Sequence, residues 1–93
     1  PFTEKRLAVR VRPRYMPRNS SLHLDPDTVY IKCLVPLDDY ELITDADFGV
    51  EVDYREIDER SDYIVPRITT QVPGVEIVEF SPKRMQYLIV SKE

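Results

Sequence analysis

The chain repeats itself loosely at a spacing of 56 residues. Pro17 and Pro26 lie nine apart, and Pro73 and Pro82 repeat that interval 56 positions later. Across the same shift Leu22 falls on Val78, Leu24 on Phe80, Val29 on Met85, Ile31 on Tyr87 and Cys33 on Ile89, so every inward-reading position meets an apolar one. An internal repeat constrains architecture more than any local propensity does. Each unit reads as strand, proline turn, short strand, proline turn, strand. Such a unit leaves one sheet face uncovered, and two of them close over a shared core.

Strand periodicity fills most of the remainder. Leu7, Val9 and Val11 alternate with Arg6, Ala8, Arg10 and Arg12, the period of two expected of a strand with one buried face, and Pro13 reads as its end. The alternation recurs at Val29, Ile31 and Cys33, and again at Phe48, Val50, Val52 and Tyr54. Tyr63 to Ile68, Val75 to Phe80 and Met85 to Val90 read as three more strands, rich in β-branched and aromatic residues. Eight prolines against two glycines disfavour a helical bundle, because proline removes a backbone donor and belongs at strand ends, edges and turns. Only LDDYELI, Leu37 to Ile43, has a helical claim: Pro36 suits a helix start, and Leu37, Tyr40, Leu42 and Ile43 are expected to face inward. Asp45, Asp47 and Gly49 mark a loop ahead of the next strand. The expected fold is mainly β. It is built from two pseudo-repeated strand units, about 7–33 and 63–89, and a connector over 34–62 with room for a short helix.

Ninety-three residues suit one domain, 1–93, and a chain of this size buries only about 60 to 65 per cent of its unfolded surface. The core must therefore be economical. Beginning at Pro1, the chain reads as one repeat excised from a longer protein. It carries no apolar run of membrane-spanning length and no signal-peptide succession. Cys33, the single cysteine, excludes an internal disulfide and a cysteine-based metal site, and reads as a small core residue.

Net charge is −4, unevenly placed: Glu4 to Arg18 holds six bases and one acid, Asp38 to Asp62 eleven acids and two bases. VRVRPRYMPR, Val9 to Arg18, raises the question of a nucleic-acid arm. With Leu7, Val9 and Val11 facing the core, Arg6, Arg10 and Arg12 project onto the solvated face for geometric reasons alone. A sequence pI of about 5.0 and the lack of interleaved aromatics or glycines disfavour a polyanion site. Pairing with the acidic strand around Glu51 and Asp53, or with a neighbouring domain, explains the arginines better. Arg6, Arg10 and Arg12 on one face, with Glu51 and Asp53 on another, are the candidate interaction residues.

No pattern calls for catalysis, a cofactor or a metal. The acids at Asp38, Asp39, Asp45, Asp47 and Asp53 lack the ligand spacing and closing Glu of a calcium loop. His23 is the only histidine and alternates with Leu22 and Leu24, which puts it on an outer face with no partner for a triad or zinc site. Ser20 and Ser21 beside Asn19 read as turn formers.

These units resemble a YbbR-like domain, the extracytoplasmic repeat of YbbR proteins, which include the regulator of a membrane diadenylate cyclase. The resemblance is carried by LAVRVRP, by LDPDTVYIKC with its Pro-x-x-Val spacing, by the acidic DFGVEVDYREID, and by VPGVEIVEFSPKRMQYLIV, from about Leu7 to Val90. The chain departs from the family at Leu34 and Val35, where a Gly-Pro turn is common. The resemblance implies a β-rich domain of mixed parallel and antiparallel strands, a non-catalytic scaffold or interaction module on the extracytoplasmic face of a bacterial membrane, anchored only by a segment outside this chain. Its partners would be a membrane diadenylate cyclase, another component of a cell-envelope process, or neighbouring repeats. The family fold is also similar to the C-terminal domain of a bacterial ribosomal protein of the large subunit. A ribosome-associated RNA-binding domain is therefore the alternative.

Overall fold

The computed structural model describes residues 1–92. Among the described residues the strands are β1 (Phe2–Arg10), β2 (Arg12–Arg14), β3 (Ser20–Asp25), β4 (Thr28–Pro36), β5 (Val50–Asp53), β6 (Tyr63–Ile64), β7 (Arg67–Ile68), β8 (Glu76–Ser81) and β9 (Met85–Ser91). They form three sheets with the orders β1-β4-β8, β2-β5-β7 and β3-β9-β6. Only β2 on β5 is parallel; the other pairings are antiparallel. The fold is mainly β, as the periodicity predicts, and its sheets mix parallel and antiparallel pairs.

The two repeat units exchange strands. β3 pairs with β9, and β8, which stands 56 residues beyond β3, pairs with β4. The two pairings share one register as far as Lys32↔Glu79, since Asp25 faces Gln86 and Tyr30 faces Ser81, five residues on along one segment and five back along the other; a bulge then shifts it by one, to Cys33↔Ile77. Residues 20–36 and 76–91 thus run as one long antiparallel ribbon, related by a pseudo-two-fold axis at its centre. Cis peptide bonds at Asp25-Pro26 and Ser81-Pro82 stand at matching points on either side of that axis. At this point the ribbon passes from the β3-β9-β6 sheet to the β1-β4-β8 sheet. Laying two sheets end to end makes the molecule long, 52 × 23 × 17 Å, with a radius of gyration of 15.2 Å. A compact domain of this length measures about 12 Å.

Alternation decides what is buried. Leu7, Val9 and Val11 turn inward while Arg6, Ala8, Arg10 and Arg12 are exposed. Val29, Ile31, Cys33 and Val35 on β4 are fully buried, joined by Phe48, Val50 and Val52, Ile64 and Met85. No buried side-chain nitrogen or oxygen among the described residues lacks a hydrogen-bond partner. Burial of apolar surface at about 25 cal/mol per Å² is therefore the main force holding the sheets together.

Four expectations need correction. Pro13 does not end the first strand; it lies inside β2, because at Val11 the chain leaves β4 and joins β5. Proline is tolerated there since β2 is an edge strand. Tyr63 to Ile68 is not one strand: Val65 and Pro66 separate β6 from β7, which belong to different sheets. Leu37 to Ile43 forms a single 3-10 turn over Leu37–Asp39 followed by a tight turn closed by Ile43 N–H on Asp39 O at 3.1 Å. Of the four side chains expected inward there, only Ile43 packs on the core, while Leu37 and Leu42 are exposed. Asp45–Asp47, expected as loop, is a 3-10 turn in which Asp47 Oδ2 accepts from Thr44 N–H at 2.8 Å.

Candidate interaction surface

The middle sheet brings the two charged stretches together. Arg12, Pro13 and Arg14 of β2 lie in parallel register with Glu51, Val52 and Asp53 of β5. Val52 is buried, so Glu51 and Asp53 point to the same outer side as Arg12 and Arg14. The expectation that the arginines and the acids occupy different faces is corrected: Arg12, Glu51 and Asp53 share one. Arg14 pairs with Glu51 at 3.1 Å, and Arg67 of β7 reaches Glu56 at 2.6 Å across the same sheet.

Arg10 and Arg6 do not join this set. Arg10 closes β1 and approaches Asp27 at 3.7 Å, while Arg6 pairs with Glu4 at 3.3 Å on the outer face of β1. Arg10 and Arg12 line an open groove of about 530 Å³ together with Asp45, Asp47 and Glu51.

Sequence reading missed the centre of this surface. Asp53 accepts from Arg55 N–H at 2.9 Å, from Arg55 Nε at 3.0 Å and from Arg55 Nη2 at 2.8 Å, which starts the turn Tyr54–Glu56 and fixes the guanidinium. That guanidinium lies 3.7 Å from the centre of the Tyr15 ring, and Arg14 is 5.8 Å from it. Tyr15 has φ of 62°, a left-handed conformation that costs a non-glycine residue about 1–2 kcal/mol. No local signal in the sequence announces a left-handed tyrosine. The Asp-x-Arg spacing of Asp53 and Arg55 was the one readable clue.

Hydrogen bonding from Arg55 holds the Asp53 carboxyl below the usual carboxylate range, and Arg60 does the same for Asp58. Glu56, through its hydrogen bond, raises Arg67. Burial pushes the Cys33 thiol up, so it stays protonated. His23 is exposed on β3, with Leu22 and Leu24 turned toward the core. Among the described residues no group of three or more His, Cys, Asp or Glu side chains stands close enough to hold a metal ion.

On this surface Arg14, Arg55 and Arg67 pair with Glu51, Asp53 and Glu56, Arg12 has no ion pair among the described residues, and Tyr15 lies exposed beside them. No family model, curated protein or solved structure matches the chain.

Proposed function

We propose that this chain is a non-catalytic interaction module, a YbbR-like repeat held on the extracytoplasmic side of a bacterial membrane by a segment outside it. Its partner would be a membrane diadenylate cyclase or another envelope protein. One observation carries the reading: the proline-marked segments behind the resemblance form a single pseudo-symmetric ribbon, with its flanking sheets left open at their edges. Open edges and a mixed-charge face suit a module that works through binding free energy, biasing a partner between states. Pro1 O accepts from Leu37 N–H at one end of the long axis, and Lys92 N–H donates to Asn19 O at the other.

The test is coexpression of the membrane-tethered protein with a membrane diadenylate cyclase. The reading expects cyclic dinucleotide output to change several-fold against the cyclase alone, and the change to fall when Arg12→Glu is combined with Glu51→Arg in a protein that still folds. Unchanged output for the native protein rejects the cyclase as partner. Binding to structured RNA that weakens steeply with salt would instead support the ribosome-associated alternative. The ion pairing of Arg6, Arg10 and Arg14 argues against that outcome.

A further inference from the structure

Among the described residues β1 is the longest strand with an open edge. It lies on β4 from Phe2↔Pro36 to Arg10↔Thr28 and has no strand on its other side. Leu37 N–H donates to Pro1 O, so the odd positions of β1 bond to β4, and the N–H and C=O groups of Glu4, Arg6 and Ala8 face outward. Val9 and Arg10 share a groove with Asp45 to Gly49, so the room for an added strand runs from Phe2 to Ala8. An unpaired row of this kind is a template for another strand.

Lys5 stands at the middle of that segment, on the side where a charge is least expected. It alternates with Thr3, Leu7 and Val9 on the inner face, while Phe2, Glu4, Arg6 and Ala8 are exposed. Its ammonium turns to a neutral carbonyl, Tyr40 O, and lies 4.3 Å from the centre of the Tyr40 ring. Among the described residues no carboxylate pairs with it, whereas Arg6, Arg10 and Lys32 each have one.

We propose that this edge takes an antiparallel strand from a different protein, one carrying an acidic residue opposite Lys5, and refuses a second copy of the chain. The odd positions bond to β4, so against an added strand they form the non-hydrogen-bonded pairs, where Cα atoms stand about 4.5 Å apart and side chains are closest. A second copy that fills Phe2 to Ala8 about a two-fold axis sets Lys5 against Lys5. Like charges directly opposite are destabilising, and both of these are half-buried. Sliding the copies by one permitted step either way sets Arg6 against Arg6 or Glu4 against Glu4. Nothing else in the centred register forbids the dimer: Glu4 faces Arg6, Thr3 faces Leu7 and Phe2 faces Ala8. An acid in place of the second lysine turns the one repulsive pair into an attractive one and supplies the counter-charge that Lys5 lacks. A charge turned inward on an edge strand blocks edge-to-edge association, and here it does so selectively, against the chain's own copy. The inference rests on the reading of the chain as an interaction module, not on the identity of its partner.

The chain itself serves as the probe. Sedimentation velocity across a dilution series compares the native protein, the Lys5→Glu variant, the Lys5→Thr variant and an equimolar mixture of native protein with Lys5→Glu. Native protein and Lys5→Glu are each expected to stay monomeric alone, while their mixture forms a one-to-one dimer about tenfold tighter than either makes with itself. Lys5→Thr, which removes the repulsion, is expected to pair with itself, and it decides the matter alone if Lys5→Glu does not fold. In the mixture, amide shifts of ¹⁵N-labelled native protein should centre on Glu4, Arg6 and Ala8, and added salt should weaken the dimer. A mixture that stays monomeric overturns the proposal, and so does a monomeric Lys5→Thr. Native protein that pairs with itself as tightly as with Lys5→Glu overturns it too, as do shifts that leave β1 untouched. The cyclase experiment, read through Arg12 and Glu51 on another sheet, stands or falls separately.

Discussion

The two halves of the ribbon share a strand plan and differ in how well it is covered. On β4, Val29, Ile31, Cys33 and Val35 are buried to 1% exposure or less beneath the full length of β1. On β9, Met85 is as deep, but Tyr87 and Ile89 are half-buried and Leu88 and Val90 are exposed. The 56-residue shift places Ile89 on Cys33 and Ser91 on Val35. Equivalent positions in sequence are therefore not equivalent in burial. The length of the third strand decides the difference: nine residues of β1 against two of β6. One half is a scaffold, and the other keeps an edge open.

The contrast is most easily broken by truncating the core. Ile31→Ala empties a fully buried site and costs about 2–5 kcal/mol, whereas Ile89→Ala costs less than half as much because water already reaches the residue. Equilibrium unfolding in urea measures both, and equal losses would mean that β9 is covered as fully as β4.

Gly49→Ala probes the sheet that joins the halves. A Cβ there would stand 2.8 Å from Thr69 Oγ1 and 3.3 Å from Thr70 Cγ2, at the point where Thr69 N–H donates to Gly49 O. The expected loss is about 1–3 kcal/mol, from pushing β7 away from β5. Since that sheet serves both halves, amide shifts should spread into β4 and β9 alike; shifts confined to one half would show that it does not couple them.

The smallest effect is acidic. Asp53 has a depressed folded-state pKa through its hydrogen bonds from Arg55, so its contribution is complete above the unfolded value, about 3.9, and is lost as pH falls through the lower folded value. Asp53→Asn lacks this contribution at every pH. The stability gap between the native protein and this variant should therefore narrow only below about pH 4. Thermal unfolding across pH 2–7 checks this, and a gap that stays constant down to pH 2 would show that the Asp53–Arg55 bonds contribute nothing.

The sequence showed which faces are buried because alternation with period two maps directly onto a strand. Leu7, Val9 and Val11, Val29 to Cys33, and Phe48 to Val52 all point as their spacing dictates. The proline repeat likewise predicted two units over one core. Three features were hidden because they depend on contacts between distant segments. Pairing across the units follows from the ribbon register, and nothing local distinguishes it from pairing within a unit. The handover at Val11 divides a continuous alternating run between two sheets. Tyr15 takes its left-handed backbone where it stacks on Arg55, forty residues along the chain. As for the candidate surface, Arg12, Glu51 and Asp53 were legible as charged outward positions, but only the parallel β2-β5 pairing makes them one face.

Amide hydrogen exchange of the dilute native chain tests the account most directly. The Cys33 N–H turns toward Lys5 on β1, while its counterpart at Ile89 turns toward the open edge of β9. Strong protection of Val29, Ile31 and Cys33, with fast exchange at Ile89 and Ser91 between protected Leu88 and Val90, is the predicted pattern. Protection of Ile89 and Ser91 equal to that of Cys33 in the monomer would mean that the position beside β9 is already filled, and the asymmetry described here would be wrong.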